Sequence, residues 1–284
     1  LSHLKRNRRG LTESICPFDK NFFSKKGKEV LRITDEIITI QTVKKKCIKE
    51  MVSIDTDARL IILEGVIKEF TNLVQYKKIP LTINRQKILG RLSEMKSKLM
   101  ALKWSYKPLE QVLLSKELRD IEIMAKEIFD SFPEKWVEIL SSRGIEGKLS
   151  AANLKYIRQY FYTLRERLSK GLSDDFADAI DIICCEILSV ESIDAKNWKC
   201  LITDGKARYF VATNISGLKK GDIVPVGKLP PQIVHGVLSE GMFLGSSEGL
   251  QKFTKEDLGK RPALSDKELG QARGILEKHY ASKK

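Results

Sequence analysis

This sequence has few of the residues on which most enzymes depend. Only three of its 284 residues are histidines, namely His3, His235 and His279, and no cysteine stands at a recognisable catalytic spacing from them. The sequence has neither a P-loop nor a G-x-G-x-x-G fingerprint, the glycine-rich motifs that hold nucleotide phosphates. We therefore expect a binding protein and no enzyme. A catalytic pair far apart in the chain stays open, because geometry and not sequence order defines one.

Cysteine is present without a pattern. The five cysteines are Cys16, Cys47, Cys184, Cys185 and Cys200, and none of them forms C-x-x-C. Their spacing matches no zinc motif, and an odd number with one adjacent pair argues against a disulfide framework. We expect reduced thiols, no metal site and no cofactor.

Long apolar runs are missing as well. No segment approaches the roughly 20 apolar residues that a membrane-spanning helix needs. The basic N-terminal stretch "LSHLKRNRRG" is not followed by the apolar core of a signal peptide. We expect no membrane partner and a cytoplasmic protein.

Acidic residues are fewer than basic ones. The chain has 51 Lys and Arg against 37 Asp and Glu, which gives a formal net charge of +14. Such an excess favours a polyanionic partner, because lysine and arginine release counterions from nucleic-acid phosphates. RNA is the partner that we expect from this charge, and a solvated lysine-rich surface is the alternative.

Residues 1–176 read as a basic leader followed by a helical domain. Residues 1–29 form the leader, which either contacts nucleic acid or is a solvated tail. The helical domain covers 30–176, and its first part, near 30–43, is rich in β-branched residues and could be a strand. Apolar spacing of three and four predicts a helix over 57–76. A second helix follows, with a buried stripe formed by Ile88, Leu92, Met95, Leu99 and Leu102.

Further helices are predicted up to Gly171. One begins at Pro108 and continues to about Phe132, and a short one begins at Pro133 and is closed by Gly144. Gly144 and Gly147 then mark a loop. Ser150 is the expected N-cap of a helix that ends at Gly171. Arg158 and Arg165 on this helix lie among tyrosines, which favours RNA contact, whereas core packing of the aromatic residues is the alternative.

The pattern changes to strands after Asp178. Five β-rich runs, "AIDIICCEILSVESI", "WKCLITDG", "ARYFVATNIS", "DIVPVGKL" and "IVHGVLSEGMFLGS", are bounded by Gly, Pro, Asn or Asp. Five short strands in about eighty residues indicate a small β-barrel. Residues 263–284 follow as a terminal helix and tail, where Ser265 and Glu268 have the spacing of a capping box.

The segment "GVLSEGMFL", residues 236–244, carries a resemblance to a known family. Gly236, Val237, Ser239, Gly241 and Met242 follow the G-V-x-S-x-G-M pattern of the tRNA-binding domain family, with Leu229 and Pro231 at the usual places before it. The resemblance runs from about Ile180 to Gly249. These domains are OB-fold modules attached to methionyl-, tyrosyl- and phenylalanyl-tRNA synthetases, and they also occur as free-standing tRNA-binding proteins.

The sequence as a whole predicts an α+β protein. The residue patterns predict a helical N-terminal domain and a C-terminal helix, and the resemblance implies a five-stranded OB-fold β-barrel over 177–262. The resemblance also implies RNA binding in the translation apparatus, with tRNA as the first candidate. The chain departs from the family at Lys228, where asparagine is common, and has fewer basic residues around Pro230, Gln232 and His235. This departure leaves a ribosome-associated factor that docks on rRNA as an alternative. A protein-interaction scaffold or dimerisation module of a synthetase complex is the other.

The first expected partner is RNA, either tRNA or rRNA. The other expected partners are a ribosomal subunit or an aminoacyl-tRNA synthetase, and a second copy of the chain. Some of the expected RNA contacts are implied by the resemblance, and others are basic residues on the predicted strands, loops and helices. Each basic residue among them is also compatible with plain surface. The expected RNA-binding residues are Lys206, Arg208, Lys219, Lys220, Lys228, His235, Ser239, Met242, Arg158 and Arg165.

Overall fold

The computed structural model describes residues 52–247 and 249–281. The basic leader over 1–29 and the strand-like stretch near 30–43 lie outside the described residues. The described part is an α+β fold. Its helices are α1 (Ala58–Gln75), α2 (Arg85–Lys103), α3 (Leu109–Leu113), α4 (Lys116–Asp130), α5 (Trp136–Ser141), α6 (Gly144–Tyr162), α7 (Leu164–Leu168) and α8 (Asp266–Leu276).

The first two helices form where the apolar spacing predicts them. Asp57 caps α1 by accepting a hydrogen bond from the amide of Arg59, and Asn84 caps α2 in the same way through the amide of Lys87. All five residues of the predicted α2 stripe are buried. The α2 helix packs against both α1 and α4, so the stripe lies in the core of the helical region.

The predicted helix from Pro108 to Phe132 is wrong as one element. The structure divides it into α3 and α4, with a break at Leu114 and Ser115. The side chain of Ser115 accepts a hydrogen bond of 3.2 Å from the amide of Leu118 and so caps a new helix. A serine that can bond to the backbone ahead of it competes with helix continuation, which explains the break.

The predicted loop at Gly144 and Gly147 is also wrong, because α6 begins at Gly144 and includes both glycines. A Cβ atom at residue 147 would lie 2.1 Å from the carbonyl oxygen of Leu140, so the glycine permits α6 to approach the end of α5. Ser150 is therefore inside the helix and is no N-cap. Its hydroxyl donates to the carbonyls of Glu146 and Lys78.

The C-terminal half contains one antiparallel five-stranded sheet. Its strands are β1 (Ile182–Ser192), β2 (Trp198–Thr203), β3 (Arg208–Thr213), β4 (Ile223–Val234) and β5 (Val237–Phe243). The strand order is β3-β2-β1-β4-β5, and β3 also contacts β5, so the sheet closes on itself. This connectivity is the five-stranded barrel of an OB fold, as the sequence predicts. The barrel has its own core, which includes Cys185, Ile187, Cys200, Ile202, Val211, Val224, Val226 and Phe243.

The last two predicted strands have different limits in the structure. The runs around Pro225 and Ile233 belong to the single strand β4, and β5 begins only at Val237. Between them, His235 and Gly236 have φ angles of +50° and +78°. Two successive positive φ angles are typical of a two-residue type I′ hairpin turn. His235 is therefore a turn residue, whereas the sequence places it within a strand.

The helical region and the barrel share one hydrophobic core. This core extends from Ile54 to Tyr280, and it includes Ile180, Ile182, Leu229 and Leu244 from the barrel and the segment before it. The α6 helix packs on β4 and β5. The α8 helix begins at the predicted capping box, in which Ser265 and Glu268 exchange hydrogen bonds.

Candidate nucleic-acid interface

The outer face of β2 and β3 carries a partly exposed aromatic side chain. Side chains alternate along a strand, so the buried residues Cys200 and Val211 point into the barrel and their neighbours point outward. Leu201 lies directly opposite Phe210 in the register of the two strands, and both are partly exposed. The two side chains form an apolar surface on the outside of the barrel.

Cations surround this apolar surface. The Nζ atom of Lys199 lies 4.7 Å from the centre of the Phe210 ring, within the range of a cation–π interaction. Lys199 also forms a salt bridge of 3.2 Å with Glu191 on β1. Arg208 is exposed two residues before Phe210, on the same face of β3, and Lys206 is exposed in the β2–β3 hairpin.

The β2–β3 hairpin is fixed by Asp204. Its Oδ1 atom accepts hydrogen bonds of 2.9 Å from the amide of Lys206 and 2.7 Å from the amide of Ala207. Burial raises the pKa of the Asp204 carboxyl, but these amides and the charge of Lys228 outweigh burial, and the pKa lies below its usual range. The carboxylate therefore stays ionised, and Lys206 extends from an ordered turn.

Lys228 closes one end of the barrel. Its Nζ atom donates a hydrogen bond of 2.7 Å to the hydroxyl of Tyr209 and lies 3.3 Å from Oδ2 of Asp204. Tyr209 in turn donates to Asp204 at 2.9 Å. The charge of Lys228 is therefore already paired inside the barrel end, where the sequence places a phosphate contact.

Side chains of β5 close the barrel against β3. The hydroxyl of Ser239 accepts from the amide of Ala212 at 3.1 Å and donates to the carbonyl of Gly241 at 3.0 Å. Next to it, Oε2 of Glu240 accepts from the amide of Phe210 at 3.0 Å. Ser239 is only 4% exposed, so its hydroxyl connects strands within the barrel wall.

The β1–β2 loop leads into β2, and the β4–β5 turn leads into β5, which contacts β3. Hydrogen bonds from the Asn197 side chain and the Lys196 amide hold the pKa of Asp194 in the β1–β2 loop below its usual range. His235 is exposed in the β4–β5 turn. These are the two loops that flank the oligonucleotide site of OB folds, so both are positioned to border a ligand.

The other predicted contacts are dispersed. Lys219 and Lys220 are exposed in the β3–β4 loop, which Asp222 orders by accepting a hydrogen bond from the amide of Lys219. Met242 is partly buried against the core of the helical region. The structure therefore brings only Lys206 and Arg208 beside the Phe210 surface.

The two predicted arginines of the helical region differ in their environments. Arg165 donates two hydrogen bonds to the carboxylate of Glu122, at 2.9 and 2.7 Å, and one to the carbonyl of Leu113. Arg158 is exposed, and its guanidinium lies 5.3 Å from the centre of the Tyr162 ring. Arg158 is thus the one of the two whose side chain is directed to solvent.

Phe210 and Lys199 are central to this face, but they do not stand out in the sequence. The strands "WKCLIT" and "RYFVAT" alternate between buried and partly exposed residues, which is the only signal that places them outward. Their proximity depends on the register of β2 and β3, which no local pattern encodes. Alternation alone would have made both residues candidates.

In residues 52–247 and 249–281, no group of three or more His, Cys, Asp or Glu side chains is placed to hold a metal ion. Within the same ranges, none of the helices is both long and apolar enough to cross a membrane.

The fold and this face define an α+β protein in which a helical region is joined to an OB-type barrel. A family model described as "Alpha helical domain" matches residues 51–171, which include α1 to α7. No curated protein matches the chain. Among solved structures, the chain is similar to a MetRS-related protein from Pyrococcus horikoshii, with 21% identity and a TM-score of 0.27. That match covers 30% of this chain and 90% of the other.

Proposed function

We propose that this protein binds RNA, and that the outer face of β2 and β3 holds an unpaired segment of it. The observation that carries the proposal is Phe210, partly exposed between Lys199 and Arg208 on the face that OB folds use for oligonucleotides. An aromatic ring offers every base a surface for stacking, and flanking cations neutralise phosphates. The net charge of +14 supports the same partner.

Each side chain has a separate role in this proposal. A base stacks on Phe210 and contacts Leu201. Lys199 covers the ring in the free protein, and its flexible stem lets the ammonium group move to a phosphate when a base arrives. Arg208 contacts the next phosphate through its planar guanidinium, and Lys206 extends the positive surface along the hairpin. Ser239 and Lys228 keep the barrel closed and do not contact RNA.

Transfer RNA is the first candidate for the RNA, since residues 236–243 resemble the tRNA-binding domain family. We place the protein in the translation apparatus on the same ground and assign it no reaction. Ribosomal RNA and a scaffold without RNA are the alternatives, and the experiment below separates them.

The proposal is tested by fluorescence anisotropy with labelled single-stranded RNA and with unlabelled tRNA and rRNA fragments as competitors. Loss of one stacking platform costs about 1–3 kcal/mol, so Phe210→Ala should weaken binding by roughly 5- to 150-fold. Arg208→Glu should weaken it as well and reduce its salt dependence. The matched control is Lys96→Glu, which makes the same kind of charge reversal at an exposed position of α2.

The control variant should bind nearly as tightly as the wild type. The stronger of the two competitors identifies the class of RNA. Equal affinities of the wild type, Phe210→Ala and Arg208→Glu would contradict the proposed face. Affinity for none of the RNAs at low salt would contradict RNA binding itself and favour the scaffold.

A further inference from the structure

The α6 helix exposes a short row of basic and aromatic side chains. Lys155, Arg158 and Tyr162 are exposed, whereas Leu154, Ile157 and Phe161 face the core. At 1.5 Å per residue, the row from Lys155 to Tyr162 is about 10 Å long.

This row lies beside the barrel. The α6 helix packs on β4 and β5, and β5 is the strand whose Glu240 side chain holds the amide of Phe210. Burial raises the pKa of Glu240, and the nearby charge of Lys155 acts in the opposite direction. Lys155 is therefore close to the contact between β5 and β3. The α6 helix, β5 and β3 are therefore consecutive neighbours, and the α6 row borders the face that carries Phe210.

Arg158 and Tyr162 form a cation–aromatic pair on the surface of α6. The guanidinium of Arg158 lies 5.3 Å from the centre of the Tyr162 ring. The rings of Tyr162 and Phe129 lie almost at right angles, with their centroids 6.3 Å apart, and this contact holds the tyrosine in place. Its side chain is still 47% exposed, so a flat aromatic surface with an adjacent cation faces solvent.

We propose that the exposed row of α6, formed by Lys155, Arg158 and Tyr162, extends the RNA site of the barrel, so that one RNA strand contacts both parts of the protein. This inference rests on the proposed function, because it continues the same site. Bases stack on Tyr162 and phosphates contact Lys155 and Arg158. The protein should then prefer RNAs long enough to reach from Phe210 to Tyr162.

The test compares a labelled 6-nucleotide oligouridine with a 20-nucleotide oligouridine on the full chain. The variant is Lys155→Gln with Arg158→Gln, and its matched control is Lys87→Gln with Lys96→Gln, two exposed lysines on α2. Both double variants remove two positive charges. The α6 variant should weaken binding of the 20-mer at least 10-fold and leave the 6-mer within twofold of the wild type.

The salt dependence gives a second readout. Because each lost phosphate contact lowers the slope of log K against log salt by about 0.7 for single strands, the 20-mer slope should fall by roughly 1.4. The α2 control should leave this slope unchanged. Tyr162→Ala should weaken the 20-mer without changing its slope, because no charge is removed.

Two results would overturn the inference while the proposed function stands. One is an unchanged affinity of the α6 variant for both oligomers while Phe210→Ala still weakens both. The other is an equal loss for both oligomers, or the same loss in the α2 control, which would indicate a general charge effect. If Phe210→Ala and the wild type bind both oligomers alike, the proposed barrel face fails and this inference fails with it.

Discussion

Gly241 on β5 lies where the backbone of β4 approaches closely. A Cβ atom at this position would lie 2.5 Å from the carbonyl oxygen of Gly227 on β4. A glycine within a strand pattern predicts a bend, a bulge or the close approach of another backbone. At Gly241 the structure shows the close approach of the β4 backbone, whereas Gly236 has a positive φ angle in the hairpin turn.

Replacing Gly241 should therefore destabilise the barrel. Gly241→Ala inserts a methyl group against backbone atoms that cannot move aside freely, and overpacking of this kind costs about 1–3 kcal/mol. Urea denaturation should show a lower free energy of unfolding. The control is Gly270→Ala in α8, where a Cβ atom would meet nothing within 4 Å. This control should gain about 0.4–1 kcal/mol, since alanine suits a helix better. Equal stability of Gly241→Ala and the wild type would contradict the close approach.

The sequence identifies the segment around Gly241, but it does not fully distinguish the residues that the fold requires from those that could contact RNA. The G-V-x-S-x-G-M pattern correctly locates glycines that the fold requires. The pattern also marks Ser239 as an RNA contact, and the positive charge of Lys228 suggests a phosphate contact, whereas the structure pairs both side chains within the barrel wall and its end. The environment of a β5 side chain depends on the contact between β5 and β3, two strands that are not adjacent in the sequence. Local patterns carry no information about that contact.

The β4 strand contains three prolines, at positions 225, 230 and 231, although proline usually interrupts strands. The pairing of β4 with β5 shifts between Lys228 and Gln232, so the two adjacent prolines lie in a bulge. A proline there removes no ladder hydrogen bond. Two separate strands are predicted here because proline is expected to interrupt a strand. The bulge that accommodates them is a feature of the pairing between β4 and β5, which local sequence does not reveal.

The α8 helix is held to the segment before β1 by an ion pair. Arg273 donates to both carboxylate oxygens of Asp175, at 2.8 and 2.6 Å. Burial raises the pKa of Asp175, but hydrogen bonds from Arg273 and the amide of Ala177 outweigh it and hold that pKa below 3.8. The ionised carboxylate therefore stabilises the folded protein.

The contribution of this ion pair should depend on pH. Asp175→Asn should lower the free energy of unfolding at pH 7 by about 1 kcal/mol, because two charge-assisted hydrogen bonds are weakened. The folded-state pKa is depressed, so the stabilisation is fully present above the unfolded value near 3.8 and is lost as the pH falls through the folded value. The difference between wild type and variant, measured by denaturation from pH 7 to pH 3, should shrink below about pH 4. A constant difference over this range would contradict the assignment.

In the molecule as a whole, buried charges connect the helical region to the barrel. Asp57 and Arg59 form a buried ion pair, and Arg59 donates to the carbonyls of Arg167 and Gly171. Arg167 in turn forms a salt bridge of 2.7 Å with Asp181, immediately before β1. These contacts connect α1 and α7 to the residue that precedes the barrel. Removing one member of a buried pair would leave the other charge unpaired and would weaken this connection.

In the proposed site, this connection lets two chemically different parts of the chain contact one RNA. The common core fixes α6 against β4 and β5, so the Lys155 end of the exposed α6 row is held next to the strand that contacts β3. The sequence predicts the α+β class, the helical region and the five-stranded barrel, because each follows from local periodicity. It does not predict how α6 sits on the barrel, since that packing joins residues about eighty positions apart.

The central claim is that RNA lies on the outer face of β2 and β3, and photo-crosslinking tests it most directly. Single-stranded RNA that contains 4-thiouridine is crosslinked to the full protein, and the attached peptides are identified by mass spectrometry. Crosslinks should concentrate on the peptides of β2 and β3, with Phe210 as the main attachment site, and should be lost in Phe210→Ala. Crosslinks confined to α1–α4, or unchanged in the variant, would contradict the claim.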